Sequence, residues 1–95
     1  MSETVEPVEQ TVLIVNRKGL HARASAKFCA VAGSWDARVR VRRGEEEVGG
    51  CSIMGLLMLG AGKGTEITIS ATGRQAREAI ETLSRLVAER FGEPD

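Results

Sequence analysis

The chain has 95 residues and a mass of 10.2 kDa, which is enough for one domain and too little for two cores. Its 13 lysine and arginine residues balance 13 aspartate and glutamate residues, so the overall charge gives no argument for binding to nucleic acid or to a membrane. The first residues lack the features of a signal peptide, and the longest apolar run, residues 53–59, is too short to span a bilayer, so we expect a cytoplasmic protein.

The first third of the chain predicts a strand followed by a helix. Residues 1–10 are polar without periodicity, and we interpret them as a disordered extension. Residues 11–15 are β-branched and apolar, as is typical of a central strand. Residues 22–32 carry apolar side chains at helical spacing, and Gly33 ends this predicted helix.

The next segment predicts a β-hairpin. Residues 37–42 alternate between apolar side chains and arginines, which predicts a strand with its valines toward a core and its arginines toward water. A turn at Arg43-Gly44 leads into a second strand over residues 45–48. In such a hairpin we expect Arg40 and Arg42 to form ion pairs with Glu45 and Glu47 on the other strand.

The second half of the chain predicts two helices around one more strand. Ser52 is the expected N-cap of a short buried helix over residues 53–59. Residues 66–71 alternate as a fourth strand, and residues 75–91 form the clearest helix because their apolar side chains make one stripe. Residues 92–95 contain a glycine and a proline, which end that helix and leave a C-terminal tail.

The predicted order of elements is β-α-β-β-α-β-α. Because each strand has a single apolar face, helices are needed on one side of the sheet alone. We therefore predict one α+β domain over residues 11–91. It is an open-faced sandwich in which three helices cover one face of a four-stranded antiparallel sheet.

The charges are segregated along the chain although they cancel overall. Residues 17–43 contain only one acidic residue, Asp36, which makes this segment a candidate surface for anionic partners. A set of solvated faces would give the same pattern. The bases of this segment are Arg17, Lys18, Arg23, Lys27, Arg38, Arg40, Arg42 and Arg43.

The two cysteines, Cys29 and Cys51, are too few for a disulfide framework and are expected to be free thiols. Cys29 has apolar neighbours, which favours burial as a small hydrophobic residue. One histidine and two separate cysteines do not have the spacing of metal ligands, so we expect no metal ion.

The single histidine, His21, lies between a glycine loop and the start of the first predicted helix. A helix N-terminus offers unpaired N–H groups and a partial positive charge, which suit a phosphate. Arg23 adds a cation in the first turn, where cations are normally disfavoured. An imidazole can act as a nucleophile at neutral pH and take up a phosphoryl group. An N-cap or surface histidine without chemistry would also fit this pattern.

At these residues the sequence resembles HPr, the histidine-containing phosphocarrier of the bacterial phosphoenolpyruvate-dependent phosphotransferase system. The resemblance covers about residues 11–91, and its specificity comes from the order and spacing of several stretches. The family has an open-faced β-sandwich of order βαββαβα, as predicted above. The stretches are Gly19-Leu20-His21-Ala22-Arg23, Ser52-Ile53-Met54-Gly55-Leu56, Leu59-Gly60-Ala61-Gly62-Lys63-Gly64 and Glu66-Ile67-Thr68-Ile69-Ser70-Ala71-Thr72-Gly73.

The resemblance implies a monomeric carrier that is not itself an enzyme and needs no cofactor. His21 would match the histidine that family members phosphorylate on Nδ1, with phospho-Enzyme I as donor and an EIIA-type domain as acceptor. Arg23 would match the arginine that steadies the phosphoryl group. Ser52 would match the serine that an HPr kinase/phosphorylase modifies in some bacteria, although its role as an N-cap would suffice alone. Partner contacts are expected at Arg17, Lys18, Leu20, Lys27, Ile53 and Met54.

The chain departs from the common family pattern three residues after the histidine. The family usually has proline there and this chain has Ala24, which should preserve the helix and leave its entry loop looser. The stretch Leu56-Leu57-Met58-Leu59 also looks like the nitrogen-related branch, often called NPr. Sugar transport and nitrogen regulation therefore both stay open.

Two other functions compete with the phosphocarrier. A four-stranded sheet with arginines on its open face resembles RNA-binding domains, but these stack bases on aromatic residues. Only 3% of this chain is aromatic, and no aromatic residue lies on a predicted strand, so nucleic acid is not an expected partner. A protein-interaction module without phosphate chemistry would use the surface of residues 52–59.

Overall fold

The computed structural model describes residues 6–95 and confirms the predicted order of elements. The interpretation of residues 1–5 as disordered lies outside the described residues. A 3₁₀ turn, Arg90–Gly92, follows the last helix. The elements are β1 (Val8–Leu13), α1 (Ala22–Ala32), β2 (Arg38–Arg43), β3 (Glu46–Gly49), α2 (Ile53–Met58), β4 (Glu66–Thr72) and α3 (Ala76–Ala88).

The four strands form one antiparallel sheet of order β1-β4-β2-β3, which confirms the predicted architecture. The helices form a layer against it: α3 packs on β1 and β4, α1 packs on α3 and α2, and α2 reaches β3. This arrangement buries one apolar face of the sheet and leaves the other to polar side chains.

The core lies between the sheet and the helices because the strand residues alternate in exposure. Val41 of β2 and Ile69 of β4 are partners in the ladder, and both are fully buried. Arg38 and Arg40, whose side chains point to the opposite face, are exposed. Phe28, from α1, is fully buried against this layer.

Strand β1 differs from its prediction in extent and in place. It begins at Val8, because residues 8–10 continue the antiparallel ladder with residues 69–71 of β4. The prediction that the N-terminal extension is disordered is therefore wrong for residues 8–10. The strand lies at an edge and not at the centre, and Leu13 is 47% exposed. A β-branched run indicates a strand without saying how many neighbours it has.

The hairpin forms, and of the predicted ion pairs across it the one between Arg40 and Glu47 is present. Glu45 lies in the turn, so the predicted pairing of Glu45 is wrong. Arg42 lies opposite Glu47, and the ion pair of 3.5 Å joins Arg40 to Glu47 diagonally. Arg42 instead reaches within 3.9 Å of Glu9 on β1.

The helix α2 is not buried as predicted. Leu56 is its one buried residue, whereas Met54 is 68% exposed and Met58 is 77% exposed. The continuous apolar run concealed which residues face the core, because a run without polar residues has no period. The predicted cap is confirmed, since the Gly55 N–H donates to Ser52 Oγ over 3.0 Å.

The helix α3 ends three residues earlier than predicted. Arg90 and Phe91 have φ angles of 60° and 55°, in the left-handed region, and the chain turns back on itself there. Phe91 is fully buried, so burial of its ring offsets the cost of a conformation that non-glycine residues rarely adopt. The reversal brings the C-terminal tail back toward the start of α1.

Gly19 fixes how the loop before α1 meets the loop before β4. Its φ is +66°, and a β-carbon there would lie 2.6 Å from the carbonyl oxygen of Ala61 and 2.7 Å from the α-carbon of Gly62. The same carbonyl of Ala61 accepts the N–H of Leu20 over 2.9 Å. The backbone contact therefore requires a residue without a side chain.

We expect Gly19→Ala to lower the free energy of unfolding by about 2–4 kcal/mol, because it combines a strained φ with a clash against backbone. Gly62→Ala is the matched control, since a β-carbon at Gly62 meets nothing within 4 Å. It should change stability by less than about 0.5 kcal/mol. Urea unfolding of both variants measures the difference, and equal stabilities would contradict this account of the loop contact.

Candidate functional site

His21 is the N-cap of α1, and its ring faces the end of the helix. Its backbone is extended, with φ −79° and ψ −176°, and Nδ1 accepts the N–H of Arg23 over 3.3 Å. An N-cap side chain normally supplies an oxygen for this purpose, and here an imidazole nitrogen takes its place. Nδ1 is therefore the nitrogen with the lone pair, and it lies at the positive end of α1.

The other ring nitrogen, Nε2, hydrogen-bonds to the carboxylate of Glu93 in the C-terminal tail. Because Nδ1 accepts a hydrogen bond, Nε2 carries the ring proton and donates a hydrogen bond to Glu93 Oε2. The ring is thus held at both nitrogens while 25% of the side chain stays exposed. This arrangement selects the tautomer in which Nδ1 is free to react.

Asn16 supports the carboxylate of Glu93. Its Nδ2 donates to Glu93 Oε1 over 3.0 Å and to the carbonyl of Gly19 over 2.8 Å. Asn16 is fully buried, so its amide has little freedom to move. The amide therefore joins the loop before α1 to the tail after α3.

Two further contacts hold the C-terminal tail in place. Lys27 Nζ donates to the carbonyl of Phe91 over 2.7 Å, and the N–H of Arg17 donates to the carbonyl of Asp95 over 3.1 Å. The two acceptors lie on either side of Glu93 in the sequence, and the donors come from α1 and from the loop before it. The position of the Glu93 carboxylate thus depends on α1, on this loop and on the reversal after α3.

An open cleft of about 300 Å³ lies beside the His21 ring. Its lining brings three cationic side chains together with two carboxylates. Such a cleft can accept an anion of the size of phosphate, whose charge the guanidinium groups and the helix N-terminus would offset. The lining residues are Arg17, Lys18, His21, Arg23, Glu93, Pro94 and Asp95.

The pKa of Glu93 is lowered from its ordinary value of 4.5 although the side chain is only 17% exposed. Burial raises the pKa of the carboxyl, but three neighbours outweigh it. Hydrogen bonds from Asn16 and His21 lower the pKa, as does the charge of Lys18, and the charge of His21 lowers it further when the ring is protonated. Glu93 is therefore an anion at neutral pH.

The structure places the other predicted site residues in different settings. Leu20 is 4% exposed and belongs to the core, and its contact with a partner stays a prediction. Lys27 lies outside the cleft, because its ammonium group contacts the carbonyl of Phe91. Ser52, Ile53 and Met54 are exposed at the start of α2 and do not line the cleft.

Glu93 and Asn16 were missed by sequence reasoning. His21 has no carboxylate near it in sequence, and Glu93 reaches it from 72 residues away. Only the reversal at Arg90 and Phe91 brings the tail to the ring, and left-handed residues without glycine give no pattern in the sequence. Asn16 offered one signal, since a polar residue directly before a glycine loop often hydrogen-bonds to backbone.

Residues 6–95 contain neither a cluster of possible metal ligands nor a helix that could span a membrane. This part of the chain has no group of three or more histidine, cysteine, aspartate or glutamate side chains that could hold a metal ion. None of its helices is long and apolar enough to cross a membrane. Its aromatic residues also lie off the strands, with Phe28 and Phe91 fully buried.

Comparison with known proteins finds one family. A family model described as the PTS HPr component phosphorylation site matches residues 8–89. The chain is 42% identical to phosphocarrier protein HPr of Cupriavidus necator, over 90% of this chain and 97% of that protein. It is 38% identical to phosphocarrier protein NPr of Shewanella violacea, over 90% and 94%. The crystal structure of HPr-C-His from Thermoanaerobacter tengcongensis matches with a TM-score of 0.88 and 36% identity, over 93% and 99%.

The lowered pKa of Glu93 predicts an acid-dependent loss of stability. An ionised Glu93 stabilises the folded state above its ordinary pKa of 4.5, and that contribution is lost as pH falls through the lower pKa of the folded state. We expect the free energy of unfolding to fall more steeply between about pH 6 and about pH 3 in the native chain than in Glu93→Gln.

Chemical unfolding at several pH values measures both slopes. Glu89→Gln removes an exposed carboxylate just before the reversal and is the matched control, which should follow the native chain. Parallel slopes for the native chain and Glu93→Gln would contradict the structural role of the Glu93 carboxylate.

Proposed function

The chain belongs to the HPr phosphocarrier family of the phosphotransferase system, and we propose that it carries its phosphoryl group on Nδ1 of His21. In this proposal phospho-Enzyme I is the donor and an EIIA-type domain is the acceptor. One observation supports the assignment above the others. The Nδ1 lone pair lies at the N-terminus of α1, beside a cleft lined by three cationic side chains.

The transfer is a displacement between two imidazole rings. Nδ1 of His21 attacks the phosphorus, a new N–P bond forms, and the N–P bond of the donor breaks. The electron pair of the broken bond returns to the donor ring. The proton on Nε2 of His21 stays in place, so the phosphorylated ring is positive, and the Glu93 carboxylate balances that charge. Transfer to the acceptor reverses the same step.

Arg23 is the proposed partner of the phosphoryl oxygens. It is exposed in the first turn of α1, and its backbone N–H already contacts Nδ1. A guanidinium group there can hold the oxygens without blocking their departure. Arg17 and Lys18, exposed on the same cleft, would meet acidic surfaces of partner proteins in short-lived complexes that weaken with salt.

Ser52 is a proposed regulatory site for an ATP-dependent HPr kinase/phosphorylase. Its hydroxyl is exposed at the N-terminus of α2, where it accepts the N–H of Gly55. A phosphate at a helix N-terminus is favoured by the helix dipole, so modification need not unfold α2. The mark of this reaction would be an acid-stable phosphate on Ser52, unlike the acid-labile one on His21.

A second candidate is an interaction module that docks through residues 52–59 without phosphate chemistry. The exposed apolar side chains of α2 favour it, since Ile53 is 42% exposed and Met54 is 68% exposed. Under either function we propose a monomer in the cytoplasm that is a carrier or binder and not an enzyme. The sugar-transport and nitrogen-related branches are both compatible with this site.

We expect the chain to gain one phosphate when it is incubated with Enzyme I and phosphoenolpyruvate. Intact mass spectrometry before and after mild acid should show a single acid-labile addition, and His21→Ala should show none. An unmodified native chain beside a control carrier that is phosphorylated normally would overturn the proposal. A His21→Ala variant that still binds its partners would then favour the interaction module.

We expect Arg23→Glu to slow transfer in both directions by at least about tenfold, which corresponds to about 1.4 kcal/mol in the barrier. The reversed charge repels the phosphoryl oxygens from the cleft. Arg77→Glu is the matched control, because Arg77 is exposed in the first turn of α3, the end of that helix away from the tail. Rapid-quench rates with phospho-Enzyme I measure the effect, and equal rates for both variants would remove Arg23 from the site.

A further inference from the structure

The two thiols, distant in sequence, lie against each other on the side of the helix layer formed by α1 and the start of α2. Cys29 Sγ donates to the carbonyl of Cys51 over 3.0 Å, and Cys51 Sγ lies 4.0 Å from the carbonyl of Cys29. Each sulfur thus contacts the backbone of the other cysteine. Reciprocal contacts of this kind bring the two residues side by side, as a disulfide requires.

The surroundings of the two thiols differ in a way that assigns them different roles. Cys51 is exposed, whereas Cys29 is half-buried. Burial raises the pKa of the Cys29 thiol, and the charge and hydrogen bond of Cys51 raise it further. Cys51 is therefore the thiol that meets a dissolved oxidant first, and Cys29 is protected until a partner sulfur is in place.

We propose that Cys29 and Cys51 form a reversible disulfide that ties α1 to the N-terminus of α2. The oxidant is a low-molecular-weight disulfide. This inference does not rest on the phosphoryl transfer proposed for His21, because Cys29 lies eight residues after His21, about 12 Å along the axis of α1 at 1.5 Å per residue.

The reaction is two successive thiol–disulfide exchanges. The Cys51 thiolate attacks one sulfur of the small disulfide, forms a mixed disulfide and releases one small thiolate. The Cys29 thiolate then attacks the Cys51 sulfur and releases the second. Two protein thiols are oxidised and lose two protons, and the two small thiolates released take up two protons to become two thiols.

The bond would act on α2. Cys51 directly precedes the Ser52 cap, and this six-residue helix is anchored in the core by Leu56 alone of its own residues. A covalent tether at its N-terminus restricts the unfolded chain, because it closes a loop between residues 22 positions apart. Oxidation should therefore raise the melting temperature of the chain, and reduction should restore it.

The test equilibrates the reduced full chain in glutathione buffers of increasing oxidised fraction, followed by quenching with N-ethylmaleimide. We expect the intact mass to fall by about 2 Da, with no maleimide added, and to return with excess reduced glutathione. Trypsin under non-reducing conditions should then release residues 28–38 joined to residues 44–63. Oxidised glutathione leaves the exposed Met54 and Met58 unchanged, so the mass shift is unambiguous.

Cys29→Ser and Cys51→Ser are the matched controls, because each variant should block one of the two exchange steps. Cys29→Ser should stop at the mixed disulfide on Cys51, with the mass of one glutathione added. Cys51→Ser should leave Cys29 reduced and slow to alkylate. A native chain that keeps a mixed disulfide, that links to a second chain, or that stays fully alkylated in every buffer would overturn the proposal.

Discussion

The orientation of the His21 ring depends on a chain reversal that begins after α3. The reversal positions the carboxylate of Glu93, which lies 72 residues after His21 in the sequence and hydrogen-bonds to the ring. Phe91 takes a left-handed conformation, and full burial of its ring makes that conformation tolerable. With Phe91 in the core, the tail runs toward the start of α1, where Glu93 contacts His21. The same residue that completes the core therefore delivers Glu93 to the site.

This dependence explains why the site is rigid on one side and open on the other. Asn16 is fully buried and fixes Glu93, and Glu93 fixes Nε2 of the ring. Nδ1 contacts one backbone N–H at the end of α1, and the ring lines the open cleft. A group that must react with another protein needs this combination, since the tautomer is selected in advance while the reactive nitrogen stays reachable.

The sequence was sufficient for the parts of the structure that have a local period or a local cap. The alternation in β2 and β4, the stripe of α3 and the Ser52 cap all follow from short-range spacing, and so does the location of His21 at the start of α1. The sequence was insufficient where contacts between distant parts of the chain determine the position of an element or a side chain. The edge position of β1 depends on which strands lie on the two sides of β4. The position of Glu93 depends on a reversal that begins at Arg90 and Phe91, two left-handed residues other than glycine.

The mixed charges of the cleft bear on what it can do with an anion. Arg17, Lys18 and Arg23 attract one, whereas the carboxylates of Glu93 and Asp95 on the same cleft limit how tightly it is held. A site meant to retain phosphate would gain from removing both acids. A carrier has the opposite requirement, because tight binding of the phosphorylated state would raise the barrier to the second transfer as much as it lowered the first. The presence of both acidic residues on the cleft is therefore an argument for transfer over retention.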